Sequence, residues 1–541
     1  MTEFQSFPTM FESTSIDIDN NPAGLPYFIP EGSHFGILKI NMKKTKLVKK
    51  PTYMLFTVDA TGSMSEAASK GGSDKMSHVK QTFVNMLKYF VTLDTEIHIQ
   101  VNTFNEKVDV LIESSLLTKD NVIEFIDKVK AIIPDCSTDI GKALQTAGKT
   151  MAEYSEKNPD HQTVHIFMTD GDATIGVRSD ETLATFVNNS YKNIFVGFGL
   201  QHNAELLRKL SESRNSDYLF IDNVENTALV YGETIHQFIY PAIQAVEIRA
   251  ENGLLYDWQT NTWVPSLYED IIVSEAQKIY HLKTSERLDL AVYIYGKPVS
   301  LPKEEGEEDE DNVIGEYPEP VLLDTVIEMP ALIDASDNII DNGVDITKYA
   351  FRQIVQDTLF RGKEYRNMEY SDKCAFKTEI KDTFRAMRKY MREKNMMDDG
   401  LLILLCEDLS ITYKTLDGRY NHAFTLSRQA SQGRQRSYNT STMDEDDVNY
   451  IPQPLLRRQN AHGPFRQNTM DSQDTQDPFV QFDQDDICMS SARTVVPSYD
   501  SEDDTDNIDA FNTSGNNTTC FATPSVLNTM RTMSGQPSRE F

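Results

Sequence analysis

Three separated segments of the chain carry oxygen-bearing side chains. The first is Asp59-Ala60-Thr61-Gly62-Ser63, the second is Ser137-Thr138-Asp139-Ile140-Gly141, and the third is Thr169-Asp170-Gly171. The first and third each follow a short apolar run that is typical of a buried parallel strand. Because open α/β sheets bind ligands beyond the carboxyl ends of their strands, we expect the three segments to meet at one edge of a sheet.

The candidate ligands in these segments are all hard oxygen donors. Carboxylate and hydroxyl oxygens suit Mg²⁺, Mn²⁺ or Ca²⁺ better than zinc, and the segments contain no His. Mg²⁺ takes roughly six ligands at about 2.0–2.1 Å and keeps several waters, so an open position favours an incoming carboxylate from a partner. The predicted metal ligands are Asp59, Thr61, Ser63, Thr138 and Asp170.

Each segment also has a simpler structural interpretation. Asp-x-Thr-x-Ser is a common N-cap at a strand-to-helix turn, and Thr-Asp-Gly is common in turns. The occurrence of all three segments in this order, each in the expected context, favours the metal site over these alternatives.

The three segments resemble the metal-ion-dependent adhesion site of von Willebrand factor A domains. Asp59, Thr61 and Ser63 match the first loop of that site, with Thr in place of the commoner first Ser, and Thr138 and Asp170 match the second and third loops. The resemblance covers about residues 50–243. It implies a doubly wound sheet and divalent-cation-dependent binding of a protein, and it does not imply catalysis.

The composition indicates an intracellular protein, cytoplasmic or, for a viral protein, in the host cytoplasm or the virion. The five cysteines are scattered and odd in number, which argues against a disulfide framework and against a zinc finger or RING. No secretory signal is recognised at the amino terminus, and no apolar stretch approaches the ~20 residues that span a bilayer. The net charge of −31 disfavours nucleic-acid binding.

The hydrophobic pattern divides the 541-residue chain into several units. Strand-like and helix-like segments alternate over 50–243, which predicts an α/β fold with a doubly wound, mostly parallel sheet. Alternating strands follow, and the similar run at 34–42 is expected to join them, so that the α/β domain is inserted in a small β-sandwich or followed by it. The predicted units are a flexible amino terminus (1–33), a strand joining the sandwich (34–49), the α/β domain (50–243), a β-sandwich (244–330) with an acidic loop (303–312), a helical region (344–420) and a disordered tail (421–541).

The residues favour a metal-dependent protein-interaction module or scaffold over an enzyme. No Ser-His-Asp order, phosphate loop, zinc signature or paired general acid and base is recognised. The expected partner is a protein that supplies an Asp or Glu to the ion. Two alternatives remain open: a metal-dependent hydrolase in which Asp59 and Asp170 activate a metal-bound water, and a ubiquitin-pathway adaptor without a RING.

Overall fold

A six-stranded sheet forms the centre of the computed structural model. The structure describes residues 9–19, 33–45, 50–66, 74–93, 95–199, 202–213, 215–221, 227–285, 289–299, 319–327, 345–418, 421–436, 508 and 521–533. The strands of the sheet are β3 (Thr52–Asp59), β4 (Ile97–Phe104), β5 (Val108–Leu116), β6 (Gln162–Thr169), β7 (Lys192–Phe198) and β8 (Ser216–Ile221). Their order is β5-β4-β3-β6-β7-β8, and all neighbours are parallel except β4 and β5.

Helices cover both faces of this sheet. They are α1 (Lys75–Phe90), α2 (Val122–Lys130), α3 (Ile140–Lys157), α4 (Asp180–Ala184), α5 (Ala204–Leu210) and α6 (Thr227–Ile239). Apolar side chains of α1, α2 and α6 form one core with the sheet, and those of α3, α4 and α5 pack against its other face. Burial on both faces explains the nearly continuous apolar strands. The predicted doubly wound, mostly parallel α/β fold is therefore confirmed.

Two antiparallel sheets form the sandwich. One contains β1 (Phe11–Ile18), β2 (His34–Met42), β10 (Leu254–Asp257), β11 (Thr262–Val264) and β13 (Gln277–Thr284), in the order β1-β2-β13-β10-β11. The other contains β9 (Pro241–Glu251), β12 (Ser266–Val273), β14 (Ala291–Pro298) and β15 (Val321–Ile327), in the order β12-β9-β14-β15. The sheets share one apolar core. Since β2 precedes the α/β domain and pairs with β13 after it, the α/β domain is an insertion in the sandwich.

The described residues of the carboxyl-terminal part of the chain form five further helices. They are α7 (Thr347–Gly362), α8 (Tyr370–Glu393), α9 (Gly400–Thr415), α10 (Asn421–Arg434) and α11 (Pro524–Met533). Apolar side chains of α7, α8 and α9 form a core with Phe35, Ile37 and Ile279 of the sandwich. None of the described helices is long and apolar enough to cross a membrane.

Two predicted boundaries, those of the flexible amino terminus and of the sandwich, differ from the structure. The amino terminus was expected to be flexible over 1–33, but its residues 11–18 form β1, which pairs with β2 as an edge strand. The sandwich begins at Pro241 rather than at residue 244, because Pro241 already pairs with Val273. The predicted acidic loop 303–312 lies outside the described residues.

The prediction of a disordered tail over 421–541 is wrong for two helices. α10 buries Phe424 and Leu426 in the same core as Phe167 and Phe195 of the α/β domain. Its polar residues are buried too: Arg428 lies 2.5 Å from Asp408, and both side chains are at most 1 % exposed. α11 packs on α6 and α1. A polar composition predicts disorder only when the polar groups stay in water. In α10, Arg428 is instead buried and paired with Asp408.

The first prediction concerns the pairing of β2 and β13. Residues 241–330 expressed without residues 1–45 should lack a cooperative unfolding transition, because removing β2 leaves β13 unpaired on one side and opens the core around Leu38 and Ile40. Circular dichroism during urea titration measures this, and the full chain is the control. Cooperative unfolding of the isolated segment would contradict the inserted arrangement.

The second prediction concerns two buried histidines of the α/β domain. Burial lowers the pKa of His165 and of His202 to about 4, so both are neutral in the folded state. The unfolded chain binds these protons near pH 6.5, so stability present above pH 6.5 is lost as the pH falls toward 4. Each histidine should contribute about 1–2 kcal/mol of this loss by pH 5.

The measurement is urea unfolding at pH 7 and pH 5 in EDTA, with the wild type and His165→Gln. The variant should lose less stability between the two pH values than the wild type, and its own value at pH 7 controls for altered packing around Thr57 and Asn193. An unchanged pH dependence in the variant would show that His165 is not held neutral.

Candidate metal centre

The first loop begins where β3 ends, at Asp59. One carboxylate oxygen of Asp59, Oδ1, accepts a hydrogen bond from the backbone N–H of Thr61 at 2.9 Å. The other, Oδ2, accepts one from the Thr169 hydroxyl at 2.6 Å. Asp59 has no exposed surface. The carboxylate is therefore fixed between the ends of two neighbouring parallel strands, β3 and β6.

The third loop joins the first through hydroxyl groups. The Ser63 hydroxyl donates to Asp170 Oδ1 at 2.8 Å, and the Thr61 and Ser63 hydroxyl oxygens are 3.1 Å apart. Asp170 follows β6 directly and is 2 % exposed. Four of the five predicted residues thus lie in one hydrogen-bonded group at the carboxyl edge of the sheet, as their positions in the sequence predict.

The second loop is held against the first by backbone hydrogen bonds. The Asp135 N–H donates to the Ala60 carbonyl at 2.8 Å, and the Gly62 N–H donates to the Cys136 carbonyl at 3.3 Å. Cys136 adopts a left-handed φ of 69°, which turns the chain sharply before Thr138.

Thr138, the fifth predicted residue, is 4 % exposed and is tied to the third loop through the backbone. Its N–H donates to the Thr174 hydroxyl at 2.7 Å, and its carbonyl accepts from the N–H of Thr174 and of Ile175. Within the part of the chain that the structure describes, no hydrogen bond joins the Thr138 hydroxyl to the other four predicted residues. The structure therefore places Thr138 beside the group but not in its hydrogen-bond chain.

Two residues of the site were not predicted from the sequence. Thr169 lies in the third segment but is not among the predicted ligands, and its hydroxyl donates a hydrogen bond to Asp59. Lys75 was not singled out at all, yet its Nζ lies 2.6 Å from Asp170 Oδ2 and 3.5 Å from Glu66 Oε2. The Thr169 contact follows from strand register. A lysine at the start of a helix normally lies in water, so nothing in the sequence around Lys75 predicts its burial.

The electrostatics of the site are dominated by two buried acids. Burial, and then the negative charge of Asp170, raise the pKa of Asp59 well above its usual range, while the hydrogen bonds from Thr169 and Thr61 oppose the shift. A positive charge close to both carboxylates relieves this repulsion. In the structure, the Lys75 ammonium supplies it at Asp170.

The donor set fits a hard divalent cation. Across the described ranges, no three or more His, Cys, Asp or Glu side chains cluster as metal ligands. The site has two carboxylates, and hydroxyls would have to complete its protein ligands. Such a mixture of charged and neutral oxygens suits an ion that keeps some of its waters. The assignment of Asp59, Thr61, Ser63, Thr138 and Asp170 as the residues that would hold the ion stays a prediction.

The sheet order and the three loops define an α/β domain whose candidate site lies at the carboxyl edge of the sheet. Comparison with known proteins identifies the family of this domain. Residues 54–231 match the model of the von Willebrand factor type A domain. This part of the chain is a von Willebrand factor type A domain, and such domains often bind a divalent cation and protein partners. No curated protein matches the chain.

Similar folds occur in solved structures at low identity. A von Willebrand factor type A protein from Catenulispora acidiphila is 12 % identical, with a TM-score of 0.48 over 74 % of this chain and 90 % of that one. The ArnB paralog VWA2 from Sulfolobus acidocaldarius is 12 % identical, with a TM-score of 0.40 over 78 % and 96 %. Proximal thread matrix protein 1 from the mussel byssus, solved with a zinc-occupied MIDAS motif, is 16 % identical, with a TM-score of 0.27 over 34 % and 46 %.

The third prediction contrasts the two carboxylates in metal-free protein. Asp170→Ala should reduce the free energy of unfolding by about 3 kcal/mol, because it removes the nearest partner of the buried Lys75 ammonium. Asp59→Asn should cost less than about 1 kcal/mol, because it removes a repulsion and keeps an oxygen that accepts a hydrogen bond.

Urea unfolding in EDTA measures both values against the wild type. Each variant serves as the control for the other, since both remove one negative charge from the same site. Equal losses in the two variants would show that the pairing of Lys75 with Asp170 does not distinguish the two acids.

Proposed function

We propose that this chain is a divalent-cation-dependent protein-binding module, and that Asp59, Thr61, Ser63, Thr138 and Asp170 hold the ion. The observation that supports this most is the hydrogen-bonded group of two buried carboxylates and three hydroxyls, those of Thr61, Ser63 and Thr169, at the carboxyl edge of the sheet. Buried acids placed side by side destabilise a fold unless a cation compensates them. An ion at this edge is also open to a partner, as loops at strand ends usually are.

The partner group that suits this ion is a carboxylate. Of the two negative charges at the site, Asp170 is already paired with the Lys75 ammonium at 2.6 Å. A bound divalent ion therefore keeps an excess of positive charge, which an Asp or Glu of the partner neutralises on replacing a water. When bound, the ion supplies a Lewis-acidic position for that oxygen. A neutral partner group gains less from the same contact.

A binding role fits the two acids better than a catalytic one. Both oxygens of Asp59 accept a hydrogen bond, and the two oxygens of Asp170 contact Ser63 and Lys75. Carboxylates held in this way act as fixed ligands rather than as bases that exchange protons with a substrate. An intracellular setting belongs to the same proposal and is supported by the described cysteines, Cys136, Cys374 and Cys406, which are free thiols.

The fourth prediction is that metal binding depends on the predicted ligands. Calorimetric titration of the full chain with Mg²⁺, Mn²⁺, Ca²⁺ and Zn²⁺ should show binding of a hard cation. Thr138→Ala and Asp59→Asn should each weaken that binding by at least about tenfold, since each removes a ligand or its charge. Thr185→Ala is the matched control, because it deletes an exposed threonine hydroxyl outside the three loops. Equal metal affinity in all four proteins would refute the assignment.

The partner half of the proposal is tested with the same variants. Immobilised wild-type chain should retain a specific protein from native extract in Mg²⁺, release it in EDTA and recover it when Mg²⁺ is restored. Thr138→Ala should not recover it. Replacement of single Asp and Glu residues in the retained protein should then abolish the metal-dependent part of binding at one position. A partner held equally well in EDTA would show that recognition does not use the ion.

A further inference from the structure

Lys75 is a buried cation at the edge of the proposed metal site. It is the first residue of α1, it is 4 % exposed, and its ammonium contacts Asp170 and Glu66. A lysine is almost never buried to this degree unless it is paired. Its position at a helix amino terminus is unfavourable, because the helix dipole is positive there. The contact with Asp170 must therefore offset both the burial and the dipole.

The path of the Lys75 side chain is shaped by Gly199, the residue after β7. Gly199 has a left-handed φ of 71°, and a Cβ at that position would lie 3.3 Å from Lys75 Cε. The absence of a side chain at Gly199 leaves room for the aliphatic part of Lys75. The ammonium reaches Asp170 Oδ2 at 2.6 Å.

The ammonium occupies the oxygen of Asp170 that Ser63 does not use. Oδ1 accepts from the Ser63 hydroxyl, and Oδ2 accepts from Lys75. A divalent ion that binds near Asp170 meets a carboxylate already neutralised and a positive charge at close range. Two cations at one carboxylate repel each other, most strongly where water is excluded.

We propose that Lys75 is an internal competitor of the divalent ion: it stabilises the metal-free domain and weakens metal binding. This inference rests on the proposed function, because it concerns the same ion. In the metal-free site, the Lys75 ammonium then neutralises Asp170. The ion must compete with this contact in order to bind. Occupancy of the site consequently responds to the concentration of the cation.

A purely structural role for Lys75 makes the opposite prediction. If the lysine only orients Asp170 as a ligand, its removal disorders the ligand and weakens metal binding. If it competes, its removal exposes the full charge of both acids and strengthens metal binding. The sign of the change in metal affinity therefore separates the two roles.

The fifth prediction uses Lys75→Met, which keeps much of the side-chain length and removes the charge. In EDTA, its thermal midpoint should be lower than that of the wild type, because Asp170 loses its cationic partner and keeps only the Ser63 hydroxyl. Mn²⁺ should bind it at least about tenfold more tightly than the wild type and should restore the midpoint. Lys75→Arg keeps the charge, so its Mn²⁺ affinity should lie closer to the wild-type value than to that of Lys75→Met.

Lys88→Met is the matched control, because it makes the same chemical change on an exposed position of the same helix. The full chain is used throughout, with calorimetry for Mn²⁺ affinity and thermal unfolding with and without Mn²⁺. Weaker or equal Mn²⁺ binding by Lys75→Met, beside normal binding by the wild type, overturns the competition and leaves the proposed function intact. Failure of every protein, the wild type included, to bind a divalent ion overturns both.

Discussion

The burial of two carboxylates at the carboxyl edge of the central sheet is the constraint around which the site is organised. Asp59 and Asp170 end adjacent parallel strands, so the strand register brings them together whatever the loops do. Each needs donors that water no longer supplies. Thr169 serves Asp59 from the neighbouring strand, and Ser63 serves Asp170 from the first loop. These contacts tie the loops to the strands and convert two separate turns into one preorganised site.

The rest of the chain keeps the domain in a fixed setting. The sandwich holds it at both ends through β2 and β9, and the helical region packs on it through α10. Another buried acid, Asp217, marks that contact. Burial raises its pKa, but Arg434, Lys192 and Arg436 together hold this pKa well below its usual range. Lys192 also contacts Asp270 of the sandwich at 2.5 Å. One charged cluster therefore joins the domain, the sandwich and the helices.

The site was more predictable from the sequence than its surroundings. Asp59 and Asp170 stand directly after apolar strands, and parallel strands align such residues without further information. Lys75 could not be predicted, because its contact with Asp170 depends on three-dimensional packing, including the space left by Gly199. β1 and α10 were missed for other reasons. β1 is an edge strand that buries only Phe11 and Ile18 at its two ends, so its pattern is weak. α10 places Arg428 against the buried Asp408 of α9, and composition alone does not register such a pair.

Helix α1 connects this site with the carboxyl-terminal end of the chain. Its first residue, Lys75, contacts Asp170, and near its other end the Tyr89 hydroxyl lies 3.3 Å from the hydroxyl of Thr529 in α11. Sixteen helical residues span about 24 Å, so the two contacts lie at opposite ends of the same helix. The Thr529 hydroxyl also lies 3.1 Å from His236 Nδ1 of α6. Since α11 contacts both helices, the position of α1 is set jointly by the charge balance at the carboxyl edge of the sheet and by the packing of α11.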